Sequence, residues 1–246
     1  MPRSLHQSPA ARGPGARAGR PSLTVADIMR RLGGEYGSVK APRHWDPVSE
    51  LVYTVLSQHT SDANSTRACA SLRAAFPAWE DVLEADPERL ARAIWMGGLA
   101  RVKAPRIKAI LQSIKDKRGR LELDFLRDMP MGEARAWLRQ LPGVGPKTAG
   151  CVLLFALDKP AMVVDTHVHR VAKRLGLVPA RCTAEQAHEA LEKLTPPEWY
   201  LPFHIYLITH GRRVCKAQRP RCEACVLEDG CPGSALRARP TKKQGK

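Results

Sequence analysis

Acidic residues are scarce in this 246-residue chain: 24 Asp and Glu stand against 40 Lys and Arg, a formal net charge of +16. The shortage is greatest at the ends, where residues 1–20 hold four Arg and residues 232–246 hold five Lys and Arg, neither with any acid. Subtracting those nine charges still leaves +7 for residues 21–231. A basic globular body favours a polyanionic partner through counterion release, and nucleic acid is the commonest polyanion. Long apolar runs are missing too. The longest, Ala149 to Leu157, falls well short of the roughly 18 residues that cross a bilayer, so no membrane association is expected. The first twenty residues lack the apolar stretch of a secretory signal. They are Arg-rich and acid-free like a transit peptide, but Leu5 is nearly their only large apolar residue. A disulfide scaffold is absent as well. Seven cysteines form an odd set, and four crowd into residues 215–231, a pattern that points to a reducing compartment and a metal site. No alternating strand pattern and no internal repeat is present.

What the chain does contain is helical periodicity. Residues 1–22, rich in Pro, Gly, Ala and Arg, cannot build a core and are expected to be a disordered basic tail. From Thr24 to Leu32, Val25, Ile28, Met29 and Leu32 fall on one helical face. Further helices are expected at Val48–Leu56, at Ser61–Phe76 with Ser61 or Asp62 near its cap, and at Val102–Lys115 after a Gly97-Gly98 turn. The pattern resumes at Glu133–Gln140, Thr148–Leu157, Thr166–Leu175, Ala184–Leu194 and Glu198–Gly211. The fold class is therefore all-α, followed by a cysteine loop and a basic tail.

Three features carry chemistry. The first is Leu141-Pro142-Gly143-Val144-Gly145, set between two helical segments. Its glycines allow positive φ and close backbone approach, and Pro146 suits the first position of the next helix. Free amides there can point at a phosphate oxygen with help from the helix dipole. An ordinary Pro-Gly turn would look the same. The second is a pair, Lys147 just inside that helix start and Asp165 eighteen residues on. A helix N-terminus disfavours a cation, and a neutral amine is what nucleophilic imine chemistry requires. Asp165 opens another helix, so N-capping is its ordinary role, but capping occupies one oxygen and leaves the other for a cleft. The third is Cys215-x6-Cys222-x2-Cys225-x5-Cys231. Four thiolates at this spacing suit either zinc or an iron–sulfur cluster. Cys69, Cys151 and Cys182 are read as plain thiols.

The stretch from Leu141 through Lys147 to Ala149, followed by Val164-Asp165-Thr166-His167-Val168-His169-Arg170-Val171, resembles the endonuclease III family of DNA glycosylases. The likeness runs from about residue 25 through Cys231. It implies a two-domain helical protein with a helix–hairpin–helix motif and an iron–sulfur cluster domain. A six-helix barrel is implied for residues 43–160. The helix of residues 23–42 would pack with a cluster domain of residues 161–231, leaving 232–246 as a basic tail. It implies that Lys147 attacks the sugar C1′ and that Asp165 assists base departure. Strand cleavage then follows by β-elimination at double-stranded DNA carrying damaged bases or abasic sites. It implies a [4Fe–4S] cluster on Cys215, Cys222, Cys225 and Cys231, oxidised pyrimidines as substrates, and a monomer in the cytoplasm, associated with the chromosome. Leu141, Gly143, Val144 and Gly145 would hold the DNA backbone, and Arg212, Lys216, Arg219 and Arg221 would grip phosphates near the cluster.

Ser57-Gln58-His59-Thr60-Ser61-Asp62 resembles a segment that enters the gap left by an extruded nucleotide, with Ser57 and Asp62 at the pocket. Relatives place glutamine where His59 falls, and Gln58 stands one position earlier, so both are wedge candidates. Leu99, after Gly97-Gly98, resembles a second wedge that inserts between bases. Two other readings remain open. A monofunctional mismatch or adenine glycosylase would lack Lys147, and a non-catalytic DNA-binding paralogue would need neither Lys147 nor Asp165.

Overall fold

The computed structural model describes residues 23–39 and 45–236. The expected tail over 1–22 lies outside the described residues, as does 237–246 of the C-terminal tail. The described residues hold eleven α-helices and no strand. They are α1 Val25–Tyr36, α2 Pro47–Leu56, α3 Asp62–Ala75, α4 Trp79–Glu84, α5 Pro87–Ala93, α6 Ala100–Arg118, α7 Met131–Arg139, α8 Pro146–Cys151, α9 Thr166–Leu175, α10 Ala184–Leu194 and α11 Tyr200–Arg213.

Local chemistry sets most boundaries. Thr24 caps α1 in a reciprocal capping box with Asp27, Asp46 caps α2 ahead of Pro47, and Ser61 caps α3. Asp165 caps α9, and Gly176 ends it in the left-handed conformation. Several boundaries differ from expectation: α1 runs on to Tyr36, α6 spans Ala100–Arg118 rather than Val102–Lys115, α11 spans Tyr200–Arg213 rather than Glu198–Gly211, and two further differences bear on the hairpin region. α7 begins at Met131 rather than Glu133, because Pro130 occupies the cap position and Gly132 falls inside the first turn. The helix expected over Thr148–Leu157 begins at Pro146 and changes at Val152–Ala156 to a π-helix.

α2 buries Val48, Leu51, Val52, Val55 and Leu56, so it is apolar almost all round and central. It packs against α3, α6, α8 and the π-helical turn. α11 packs on α1 and α9, and α10 touches both α8 and α9. The two groups of helices meet where Gly150 of α8 faces the extended segment before α9. A Cβ on Gly150 would stand 3.2 Å from the Met162 carbonyl oxygen, so glycine is what permits this approach. The close contact fixes Lys147, one turn before Gly150, relative to Asp165, three residues beyond Met162.

Candidate DNA-repair site

The segment that delivers Asp165 is pinned by side chains from two other helices. Met162 N–H donates to Glu192 Oε1 at 3.2 Å, and His188 Nδ1–H donates to Met162 O at 3.0 Å. His204 Nδ1–H donates to Val163 O at 2.9 Å. Burial holds both histidines below their usual range, so they serve as neutral donors in the core. Asp165 Oδ1 accepts the Val168 N–H at 2.7 Å. Among the described residues Oδ2 has no hydrogen bond, so the cap occupies one oxygen only.

Lys147 is half-buried in the first turn of α8. Its charge and that of Asp165 both act on Cys151 and His204, so the two groups share one neighbourhood. The hairpin before it has Leu141 and Val144 buried, which leaves its backbone, not those side chains, to face a ligand. Gly143 has φ +72°, whereas Gly145 is extended with φ −88°, so only the first glycine needs left-handed freedom. At Gly145 a Cβ would meet nothing within 4 Å, which leaves an open face for close approach.

The two loops that carry the wedge candidates share a geometry. His59 and Leu99 both adopt left-handed backbone, φ 53° and 52°, rare for residues with a Cβ. Both are exposed, Leu99 by 54%. Gln58 is held differently: its Oε1 accepts from Arg106 Nη1 at 2.9 Å, and the Arg106 stem lies against Gly143 of the hairpin. His59 is thus the outward-turned residue of the pair. Lys103, which the sequence reading missed, joins the loops from below. Its buried Nζ donates to Leu56 O at 2.7 Å and to Gly97 O at 2.8 Å, the carbonyls that precede each wedge loop. Trp95, 71% exposed, flanks Leu99 and was also missed.

Asp62 and Arg212 are paired with each other. The guanidinium forks onto both carboxylate oxygens at 2.6 and 3.0 Å, linking α3 to the end of α11. Arg212 is therefore engaged by a carboxylate rather than presented freely to phosphate. Ser57 Oγ donates to Thr54 O at 2.8 Å. Lys216, Arg219 and Arg221 are exposed and make no ion pair among the described residues.

Glu50 is the least expected group. It sits in the apolar helix α2, buried, and accepts the Thr54 Oγ1 hydrogen bond at 3.2 Å. Burial pushes its carboxyl from the ordinary 4.5 up to about 7, against weaker opposing effects of Thr54 and Lys147. Because its folded value is raised, the native state holds the proton more tightly than the unfolded chain. Stability is then highest below about 4.5 and falls as pH rises to about 7. The shift corresponds to roughly 3 kcal/mol. Glu50→Gln keeps an acceptor for Thr54 and removes the titration. Denaturation at pH 5 and pH 8 should show the variant gaining about that much over the native chain at the higher pH. Equal pH dependence in both proteins would mean that Glu50 is solvated.

The four cysteines of the C-terminal loop line one cavity, together with Val171, Leu175, Val214, Pro220 and His210. Among the described residues no three His, Cys, Asp or Glu side chains converge tightly enough for a single metal ion. The sulfurs surround a space instead, and polar groups face them. Arg174 Nη1 is 3.3 Å from Cys215 Sγ, the Ala235 N–H is 3.4 Å from Cys222 Sγ, and His210 Nε2 is 3.5 Å from Cys225 Sγ. An apolar chamber with N–H donors on its thiolates fits an iron–sulfur cluster.

Comparison with known proteins agrees with this geometry. Residues 52–197 match the model of the HhH-GPD superfamily of base excision DNA repair proteins, and residues 215–231 match the iron–sulfur binding domain of endonuclease III. The chain is 41% identical to an endonuclease III of Thermotoga maritima over 76% of its length and 83% of the relative's. It is 42% identical to a putative DNA glycosylase of Arabidopsis thaliana, over 74% of this chain and 63% of that one. Among solved structures, a trapped endonuclease III–DNA covalent intermediate superposes with a TM-score of 0.75 at 31% identity, covering 87% of this chain and 97% of the other.

Proposed function

The chain belongs to the HhH-GPD superfamily of base excision DNA repair proteins, and on that premise we propose that it is a bifunctional DNA glycosylase and abasic-site lyase working through a Lys147 imine. The observation that carries the reading is the Gly150–Met162 approach, which sets Lys147 and Asp165 in one neighbourhood beside the hairpin. The barrel of residues 43–160 and the cluster domain of 161–231 would form the walls of the cleft, as the packing of α10 on both α8 and α9 supports.

In this mechanism the hairpin amides and the exposed Lys216, Arg219 and Arg221 hold the duplex by its phosphates. His59 and Leu99 fill the gap as the damaged nucleotide leaves the stack. Asp165 stabilises positive charge as the N-glycosidic bond breaks. The Lys147 amine forms the C1′–N bond as the C1′–base bond breaks, and the base leaves with a proton. The C1′–O4′ bond then opens, with a proton passing from the nitrogen to O4′, to give the imine. In the resulting imine the C2′ proton is acidic. Its loss forms a C1′–C2′ enamine that expels the 3′ phosphate, breaking the C3′–O bond. Cys215, Cys222, Cys225 and Cys231 would hold the [4Fe–4S] cluster, which would make the basic loop rigid. The substrates proposed are oxidised pyrimidines in double-stranded DNA, met by a monomer at the chromosome in the cytoplasm. No described helix is long and apolar enough to cross a membrane.

The test is incubation with duplexes carrying thymine glycol, a mismatch, adenine opposite 8-oxoguanine, or an abasic site, with and without borohydride. Excision and trapping on thymine glycol support the proposal. Excision without trapping would select a monofunctional glycosylase, and binding without either would leave a non-catalytic DNA-binding protein.

A further inference from the structure

Away from the cleft, a continuous set of polar contacts runs from the N-terminal helix to the cysteine loop. Tyr36, the last residue of α1, places its Oη 2.9 Å from Nδ1 of His210 on α11. The two rings lie 6.2 Å apart at 54°. The other nitrogen of His210, Nε2, is 3.5 Å from Cys225 Sγ. His210 is almost wholly buried, and its backbone carbonyl also accepts the Cys215 N–H at 2.8 Å. One residue therefore touches two of the four cysteine positions. Tyr36 lies outside residues 52–197, the stretch that matches the superfamily.

The proton positions follow from what each atom can do. A thiolate that ligates iron has no proton to give, so the ring nitrogen facing it is the donor. A neutral imidazole then has its acceptor at Nδ1, and the Tyr36 hydroxyl donates to it. The order is Tyr36 O–H to His210 Nδ1, and His210 Nε2–H to Cys225 Sγ. An N–H donated to a ligating sulfur stabilises the more negative, reduced form of a cluster and raises its potential. The tyrosine matters twice. It withdraws density from the ring, which strengthens the Nε2–H donor. It also excludes the tautomer whose lone pair would face the sulfur.

We propose that Tyr36 and His210 are a two-residue positioning relay that sets the reduction potential of the cluster through one N–H···S hydrogen bond to Cys225. The proposal rests on a cluster held by these four cysteines. Iron and sulfide analysis of the purified protein checks that reading separately.

The experiment is voltammetry on the full-length, cluster-loaded protein, comparing native chain, Tyr36→Phe, His210→Met and Arg31→Ala. Tyr36→Phe keeps the ring beneath Arg213, whose guanidinium lies 5.7 Å from its centroid, and removes only the hydroxyl. It should lower the midpoint by at least threefold in the redox equilibrium, about 28 mV at 59 mV per decade for one electron. His210→Met, which has no donor, should lower it further. Arg31→Ala is the control for loosening. Arg31 ties the same helix to the loop through Val226 O at 3.1 Å and through Asp229, and donates to no sulfur. It should speed iron loss to a chelator and leave the midpoint in place. Should His210→Met fail to hold a cluster, the comparison of Tyr36→Phe with Arg31→Ala still decides. An unshifted Tyr36→Phe midpoint, or an equal shift in Arg31→Ala, overturns the relay.

Discussion

Lys147→Gln is expected to abolish borohydride trapping on abasic DNA and to lower strand cleavage by at least about a thousandfold, while duplex affinity changes by less than about threefold. Glutamine matches the length of much of the side chain but offers an amide, which cannot form an imine. The half-buried position in the first turn of α8 tolerates the change, because the neighbouring Thr148, Ala149 and Gly150 carry the packing. Affinity should persist because the proposed mechanism draws its phosphate contacts from backbone amides and from the exposed cluster-loop cations. A thousandfold loss is about 4 kcal/mol of barrier, far more than a single exposed charge contributes to binding. Measuring trapping, cleavage and affinity on one abasic duplex separates the roles. Undiminished trapping would move the nucleophile to another amine, and the loss of affinity together with cleavage would make Lys147 a phosphate contact.

Helix positions were legible in the sequence wherever a cap coincided with an apolar stripe. α9 and α10 begin where Asp165 and Thr183 cap them, and α9 ends at Gly176, all local signals. The π-helical turn at Val152–Ala156 carried no such mark, because a shift of one residue in hydrogen-bond register leaves an all-apolar run unchanged. The four cysteines were legible because their spacing already implies a metal site, whereas Lys147 and Asp165 were singled out by the resemblance to the endonuclease III family rather than by residue type alone. What was hidden depends on contacts between residues distant in sequence. Asp62 and Arg212 are 150 positions apart, and no local pattern announces that they pair. Lys103 reads as an ordinary surface lysine on α6 until the end of α2 and the Trp95–Gly97 turn are seen to converge on its ammonium. Glu50 carried no signal in the sequence, because its burial comes from α3, α6 and α8 enclosing α2. Nor could the sequence tell Gln58 and His59 apart in conformation, which the structure does, with Arg106 hydrogen-bonded to the former and left-handed backbone at the latter.

Asp165→Asn is expected to lower base excision by about a hundredfold to a thousandfold with a stability change within about 0.5 kcal/mol. The substitution separates the capping role that the structure shows for this side chain from the catalytic role proposed for it. Asparagine caps a helix about as well as aspartate, so the Val168 N–H that Oδ1 now accepts at 2.7 Å keeps an acceptor and α9 keeps its start. The Met162 and Val163 contacts to Glu192, His188 and His204 do not involve the carboxylate, so the segment should stay in place. What disappears is the carboxylate that the proposed mechanism sets beside the sugar. Breaking the glycosidic bond builds positive charge there, and an amide dipole stabilises it far less than a carboxylate does. Cleavage of a preformed abasic site should fall less than excision, since that substrate has no base to expel. The measurement is the single-turnover rate on a thymine glycol duplex and on an abasic duplex, with thermal unfolding of both proteins alongside. Full excision activity in a stable Asp165→Asn protein would reduce Asp165 to a helix cap, whereas a fall in excision matched by a fall in Tm would trace the loss to α9 rather than to the missing charge.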